Sequence, residues 1–247
     1  MATQYAFGQI VTNGLVLSLD AADQNSYSGS GTVWSDLSGN GYNPTMSGSV
    51  AYSGSFPNSF QYVSGSNNYF LGNNDLTGSV VNGVTISSWV KINNTTTRSI
   101  IFSKYNNTGI PGYDFEAGTA TGLWTNTLRF YAAGTGYASG FATDYRGVSN
   151  TITQGSIFLA TVTFDFATKT TAMYINGSAI SATQAATPAS IASDWYKSTV
   201  QYKMGSDRPA QTVDAAMNQY IVMVYNRALS ATEIFQNYNA QKSRFGL

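Results

Sequence analysis

The chain contains no cysteine and no histidine. Those two absences exclude disulfide staples, thiolate nucleophiles, Ser-His-Asp and Cys-His catalysis, and ordinary zinc sites. Charge is scarce as well: Asp, Glu, Lys and Arg make up 10% of the 247 residues, against about a quarter in an average globular protein. The 12 basic and 12 acidic side chains cancel, and no Lys/Arg run stands out. A polyphosphate partner such as nucleic acid therefore has nothing to hold it. Only Glu116 and Glu233 are glutamates; the other acids are aspartates. The longest apolar stretch, Tyr220–Tyr225, falls far short of the roughly 20 residues of a membrane span. Met1–Ile10 carries neither the basic nor the apolar region of a secretory signal. The expectation is a protein made in a cytoplasm without export, with no membrane partner; the lack of cysteine is compatible with later exposure outside a cell.

Ser, Thr, Asn and Gly supply 102 residues, a composition of short strands joined by turns. Aromatics, at 14%, give enough apolar surface for a packed core rather than a disordered chain. A chain of this length buries roughly 70% of its unfolded surface and needs no staple. Asn-Gly pairs at Asn13, Asn40, Asn82 and Asn176 suit turns with positive φ. Between such turns, residues alternate with a period of two. Thr85–Ile92 places Ile86, Ser88, Val90 and Ile92 on one face and Trp89 on the other. Ile157–Phe166 does the same with Phe158, Ala160, Val162 and Phe164. This pattern predicts half-buried antiparallel strands. Further strands are expected at Leu15–Leu19, Ile100–Lys104, Tyr113–Ala117, Leu128–Ala132, Thr170–Ile175, Val200–Gly205 and Tyr220–Tyr225. One helix is predicted from Ala231 to about Lys242. Ser230 and Glu233 have capping-box spacing, Leu229 can staple against Ile234, and Ile234, Phe235 and Tyr238 form an apolar stripe. Gly39–Val63 and Ala179–Ser198 read as long loops. The whole predicts an all-β, antiparallel two-sheet sandwich with one short C-terminal helix, preceded by an arm over 1–13, the domain itself spanning 14–247.

Three segments together carry a family resemblance. They are Gly14–Ala22 followed by Trp34–Gly41 (WSDLSGNG), Thr85–Ile92 with Trp89, and Val224–Ser230 (VYNRALS) leading to Glu233-Ile234. The chain resembles the laminin-G-like, concanavalin A-like jelly-roll domains, in particular those of virion proteins of tailed bacteriophages. The resemblance implies a jelly-roll and a non-enzymatic surface protein of a phage particle, as head decoration, capsid fibre or tail-associated protein. Its partners would be other virion proteins and further copies of itself, its place the virion surface. The alternative is a calcium-assisted carbohydrate-binding module that recognises a cell-surface glycan; a virion protein can also do this.

Individual residues offer four chemistries. Asp114 and Glu116, at i and i+2 on one strand, are the one carboxylate pair close enough to resemble a retaining glycosidase, which needs its two carboxyls about 5.5 Å apart. The plainer expectation is a solvated strand face. In the loop Asp36–Asn43, Asp36, Asn40 and Asn43 offer hard oxygen ligands for calcium, the one cofactor considered and not a required one. The same residues also build turns unaided. Tyr137, Phe141 and Tyr145 with Asp144 and Arg146 could contact a glycan or serve packing. The other aromatics are dispersed, and Trp89 is expected in the core. On the arm, Tyr5, Phe7 and Ile10 alternate as if to be buried against a neighbouring subunit.

Overall fold

The computed structural model describes residues 8–63, 68–73, 76, 82–105, 112–120, 124–133, 142–186, 199–207 and 216–247. Alternating apolar residues build two antiparallel sheets. One sheet holds β1 (Leu15–Asp20), β3 (Ala51–Ser53), β4 (Ser59–Tyr62), β6 (Gly83–Ile92), β11 (Ile157–Asp165), β12 (Thr170–Ile175), β13 (Ser178–Ile180) and β16 (Met217–Tyr225). Its order is β13-β12-β11-β6-β16-β4-β3, and β1 also lies beside β16. The free edge of β16 is shared: β4 pairs with Met217–Gln219 and β1 with Ile221–Tyr225. We call this the helix-side sheet.

The second sheet holds β2 (Thr45–Ser47), β5 (Tyr69–Leu71), β7 (Arg98–Ser103), β8 (Gly112–Ala120), β9 (Trp124–Ala133), β10 (Ala142–Gly147), β14 (Ala182–Ala186) and β15 (Lys203–Met204). Its order is β14-β10-β9-β8-β7-β15-β5-β2. Between the sheets, Ile86, Val90, Phe158, Val162, Phe164, Val222 and Val224 meet Tyr113, Phe115, Leu128 and Phe130 in one core. Burying each such side chain contributes roughly 1.5–3 kcal/mol. Ser88 and Gln219 also lie inside. Gln219 Nε2 donates to Ser88 Oγ at 3.1 Å and to the Ile101 carbonyl at 3.1 Å, and Gln219 Oε1 accepts from Tyr62 Oη at 2.8 Å. The buried amide is thus satisfied on both ends.

A second apolar layer covers the outside of the helix-side sheet. Trp89, Leu159, Tyr220, Met223 and Tyr225 pack there against Leu229 and Ile234 of the helix region. Helix α1 (Ala231–Gln241) starts with the predicted reciprocal cap between Ser230 and Glu233, and a 3-10 turn follows over Lys242–Phe245. The turn between β12 and β13 has positive φ at Asn176 (52°) and Gly177 (77°), as a two-residue hairpin of this hand requires. The helix crosses this turn so closely that a Cβ on Gly177 would stand 3.0 Å from the Phe235 ring.

Several expectations need correction. Gly39–Val63 is not one loop; it carries β2, β3 and β4. These strands are three or four residues long, too short to show a period. The region after Ala179 continues into β13 and β14, and β10 carries Asp144, Tyr145 and Arg146. Only Lys203–Met204 of Val200–Gly205 pairs as a strand. Phe235 does not join the buried helix stripe: it is half exposed, and Asn237 takes the inner position beside Ile234. Asn237 is there because it has partners. Its Oδ1 accepts from the Val11 backbone N–H at 2.8 Å, and its Nδ2 donates to Tyr225 Oη at 3.0 Å.

Candidate functional site

Strands β7 to β10 and β15 line up polar residues on the outer face of the second sheet. Paired residues of neighbouring antiparallel strands share a face. The register therefore sets Asp144, Tyr131, Asp114, Ser103 and Lys203 in one row across five strands. Arg146, Arg129 and Glu116 form the row beside it. Arg129 holds Asp144 in a bidentate pair, Nε–Oδ1 2.8 Å and Nη2–Oδ2 3.1 Å, and reaches Glu116 at 3.2 Å. Arg98 bridges Glu116 at 3.1 Å and Asp207 at 2.7 Å, while Arg146 meets Asp144 at 2.7 Å. The ion pairs thus run continuously from Asp207 through Arg98, Glu116, Arg129 and Asp144 to Arg146.

Asp114 and Glu116 do share one strand face, but it is not solvated. Glu116 is 0% exposed and Asp114 2%. The pattern of alternation cannot reveal this, because a charged row looks solvated until its counter-ions are counted. Glu116 lies between two guanidiniums. Burial alone would lower the pKa of Arg98 and of Arg129, but the facing carboxylates outweigh it and raise both. Burial would raise Asp144, and hydrogen bonds from Arg129 and Arg146 more than offset it, leaving that carboxyl below its ordinary value. Asp114 differs. Burial, then repulsion from Glu116 and Asp207, pushes its pKa well above the ordinary carboxyl range. Its Oδ1 is buried with no hydrogen-bond partner among the described residues. Lys203 is lowered by the same burial. A protonated acid beside a carboxylate is the electrostatic pattern of an acid/base pair. Here the carboxylate is already held by two arginines and closed to solvent, so it offers no free nucleophile.

The remaining sequence candidates part company. Tyr145 alternates to the other face and packs against the inner core, away from Asp144 and Arg146. Tyr137 and Phe141 lie outside the described residues. Asp36 organises its loop. Its Oδ1 accepts from the Ser18 and Ser38 backbone N–H groups, each at 2.9 Å, and its Oδ2 from Ser38 Oγ at 2.7 Å and Tyr42 N–H at 3.2 Å. All four acceptor positions of the carboxylate are filled. Asn43 Oδ1 accepts from the Asp36 N–H at 2.8 Å, and Asn40 Nδ2 donates to the Val16 carbonyl at 3.1 Å. Asp36 and Asn43 are thus bonded into a turn that clips the loop to β1. On the arm, Ile10 packs against the layer under the chain's own helix, so its partner is intramolecular; Tyr5 and Phe7 lie outside the described residues. Sequence reading missed Arg98, Arg129, Lys203 and Asp207. The signal was present in the alternation of Arg129 with Thr127 and Tyr131, which puts a cation opposite Glu116.

Comparison with known proteins bears on the family and the fold. The family described as the Concanavalin A-like lectin/glucanases superfamily matches residues 60–235. No curated protein sequence matches the chain. Among solved structures, one from a study of botulinum neurotoxin type C, whose cell entry depends on interaction with two ganglioside molecules, is similar with a TM-score of 0.66 and 18% identity, over 93% of this chain and 52% of that one. The binding domain of botulinum neurotoxin DC in complex with rat synaptotagmin II gives 0.64 at 17% identity, over 93% and 52%. The same domain in complex with SialylT gives the same values. The chain spans about half the length of these solved chains. At such identities the likeness concerns the fold. Among the described residues, no helix is long and apolar enough to cross a membrane.

Proposed function

Because the chain belongs to the Concanavalin A-like lectin/glucanases superfamily, we propose that it is a recognition module for glycans and not a glycan hydrolase. The superfamily joins binding proteins and enzymes, so fold alone does not choose between them. The observation that carries the choice is the state of Glu116. A hydrolase of this type needs two carboxyls that reach the glycosidic bond. Among the described residues the best-placed pair is buried, and one member is clamped between Arg98 and Arg129. The solved neighbour whose study names two ganglioside molecules points the same way by analogy of fold. The surface of a phage particle, as the sequence resemblance implies, is the setting we propose for such a module, and mass spectrometry of purified particles would test it.

The direct test is a glycan array with the purified chain, run beside a reducing-end assay on β-glucan and galactan. Saturable binding to at least one glycan with no turnover is the expected result. Turnover that disappears in Glu116→Gln would overturn the proposal.

A further inference from the structure

The segment that leaves β1 and the segment that joins β3 to β4 enclose a groove of about 320 Å³, lined by Gln24, Tyr27, Ser28, Tyr52, Gly54 and Asn58 among others. That volume lies at the lower end of small-molecule sites, roughly 300–1,000 Å³. Among the described residues, no charged side chain lines it. Its aromatic wall is rigid. The Tyr27 and Tyr52 ring centroids are 4.7 Å apart, both rings contact Phe60, and Phe60 contacts the fully buried Trp34. Both phenol hydroxyls are already engaged. Tyr27 Oη donates to the Gly31 carbonyl at 2.9 Å, and Tyr52 Oη donates to the Ala21 carbonyl at 3.2 Å. Tyr27 is buried behind the wall, so the half-buried Tyr52 alone offers ring surface to a ligand, and neither tyrosine offers its hydroxyl.

Asn58 is oriented by the same wall. Its Nδ2 donates to Tyr52 Oη at 2.8 Å and to the Gly54 carbonyl at 3.2 Å. Both of its N–H bonds are used, which leaves Oδ1 as a fixed acceptor. The Gln24 amide is exposed and has no partner among the described residues. Gly54 keeps the entrance open: a Cβ there would stand 3.7 Å from the Tyr52 ring, with no other atom within 4 Å.

We infer that this groove binds one neutral sugar ring, its C–H face on Tyr52 and its hydroxyls on Asn58 Oδ1, the Gln24 amide and Ser28. The combination of a rigid, amphipathic ring with adaptable amides suits a polyhydroxylated ligand. The uncharged lining gives an acidic sugar no counter-ion. This inference rests on the glycan reading above and assigns it a site, away from the ion-paired face of the second sheet.

The test is saturation-transfer NMR and titration of the whole chain with glucose, galactose, mannose, N-acetylglucosamine and sialic acid, together with the glycan array. Gly54→Leu and Asn58→Ala are compared with the parent, with unfolding midpoints as the folding control. At least one neutral sugar should bind, and each variant should weaken it tenfold or more while staying folded. If Gly54→Leu and Asn58→Ala bind as the parent does, the groove is not the site and the glycan reading survives. A preference for sialic acid overturns the neutral class assigned to the groove. If nothing binds on the panel or the array, the glycan reading fails and takes the groove with it.

Discussion

Outside one sheet lies a helix, and outside the other lies a chain of ion pairs. Trp89 and Glu116 occupy comparable places in these two layers, and both are 0% exposed. Trp89 is covered by stacking and one polar contact: Phe245 lies 4.2 Å away centroid to centroid, Tyr238 5.9 Å, and Nε1 donates to Gln241 at 2.7 Å. Glu116 is covered by charge, from Arg98 and Arg129. The two layers should fail differently. Dispersion contacts are many and small, so an apolar layer loses stability in proportion to what is removed. Ion pairs in a low dielectric offset a large desolvation cost only while every partner is present.

A large effect should therefore fall on the charged face. Glu116→Ala leaves two mostly covered guanidiniums, 19% and 12% exposed, short of a counter-charge and should cost about 3 kcal/mol, read by chemical denaturation. Glu116→Gln should recover little of this, because a neutral amide fills the space but not the charge. A Glu116→Gln variant as stable as the parent would show that shape, not charge, holds this face.

A comparable effect tests the other face. Trp89→Ala should cost about 3 kcal/mol. Trp89→Phe keeps an aromatic ring for stacking but loses the bond to Gln241 and some packed volume, for about 1–2 kcal/mol. The comparison is sharpened if the conservative change is tolerated here and not at Glu116; equal penalties in the two pairs would break it.

How far each layer could be read in the sequence follows from the same physics. The helix-side layer is legible because its signals are local: a capping box three residues wide and a tryptophan opposite an apolar run. Asn237 was the exception, since its partners Val11 and Tyr225 come from both ends of the chain. The charged layer shows only its acids locally. Apart from the local Asp144–Arg146 pair, the partners of this layer lie 13 to 109 residues apart, and only strand register brings them together. The sugar groove was not legible at all, because it depends on loops around Tyr27 and Asn58 whose meeting no periodicity encodes.

Asp114 gives a prediction with a sign that can be checked. Its pKa is raised on folding, so the folded chain holds a proton that the unfolded chain releases above its ordinary value of 3.8. The unfolded state then binds fewer protons, and stability must fall as pH rises from that value. Asp114→Asn mimics the protonated form and removes the slope. Parent and variant should be about equal near pH 3. At pH 8 the variant should melt higher than the parent. A variant less stable than the parent at pH 8 would mean that Asp114 is ionised and paired in the folded protein.

The smallest effect belongs to the chain's other glutamate, and it closes the comparison. Glu233 pairs with Arg227 at 2.6 Å and accepts from the Ser230 backbone N–H at 2.9 Å, at the start of the helix. Hydrogen bonding from Arg227, then from Ser230, lowers its pKa from 4.5 to about 2. A carboxyl with a lowered folded pKa stabilises above its unfolded pKa, and loses that contribution as pH falls through 4.5 towards about 2. The pair is open to water, with side chains 26% and 28% exposed. Solvent therefore screens it, and Glu233→Gln should cost only about 0.5 kcal/mol at pH 7, less than the roughly 1 kcal/mol of losing the cap in Ser230→Ala. Parent and Glu233→Gln should converge at pH 2, and also in 1 M salt, where the Debye length shrinks to about 3 Å. Glu116→Gln should keep most of its penalty in that salt, because the Glu116 carboxylate is 0% exposed and its two arginines only 12% and 19%. If salt reduced both penalties alike, the face around Glu116 would have to be open to solvent, and the argument against a catalytic carboxylate there would go with it.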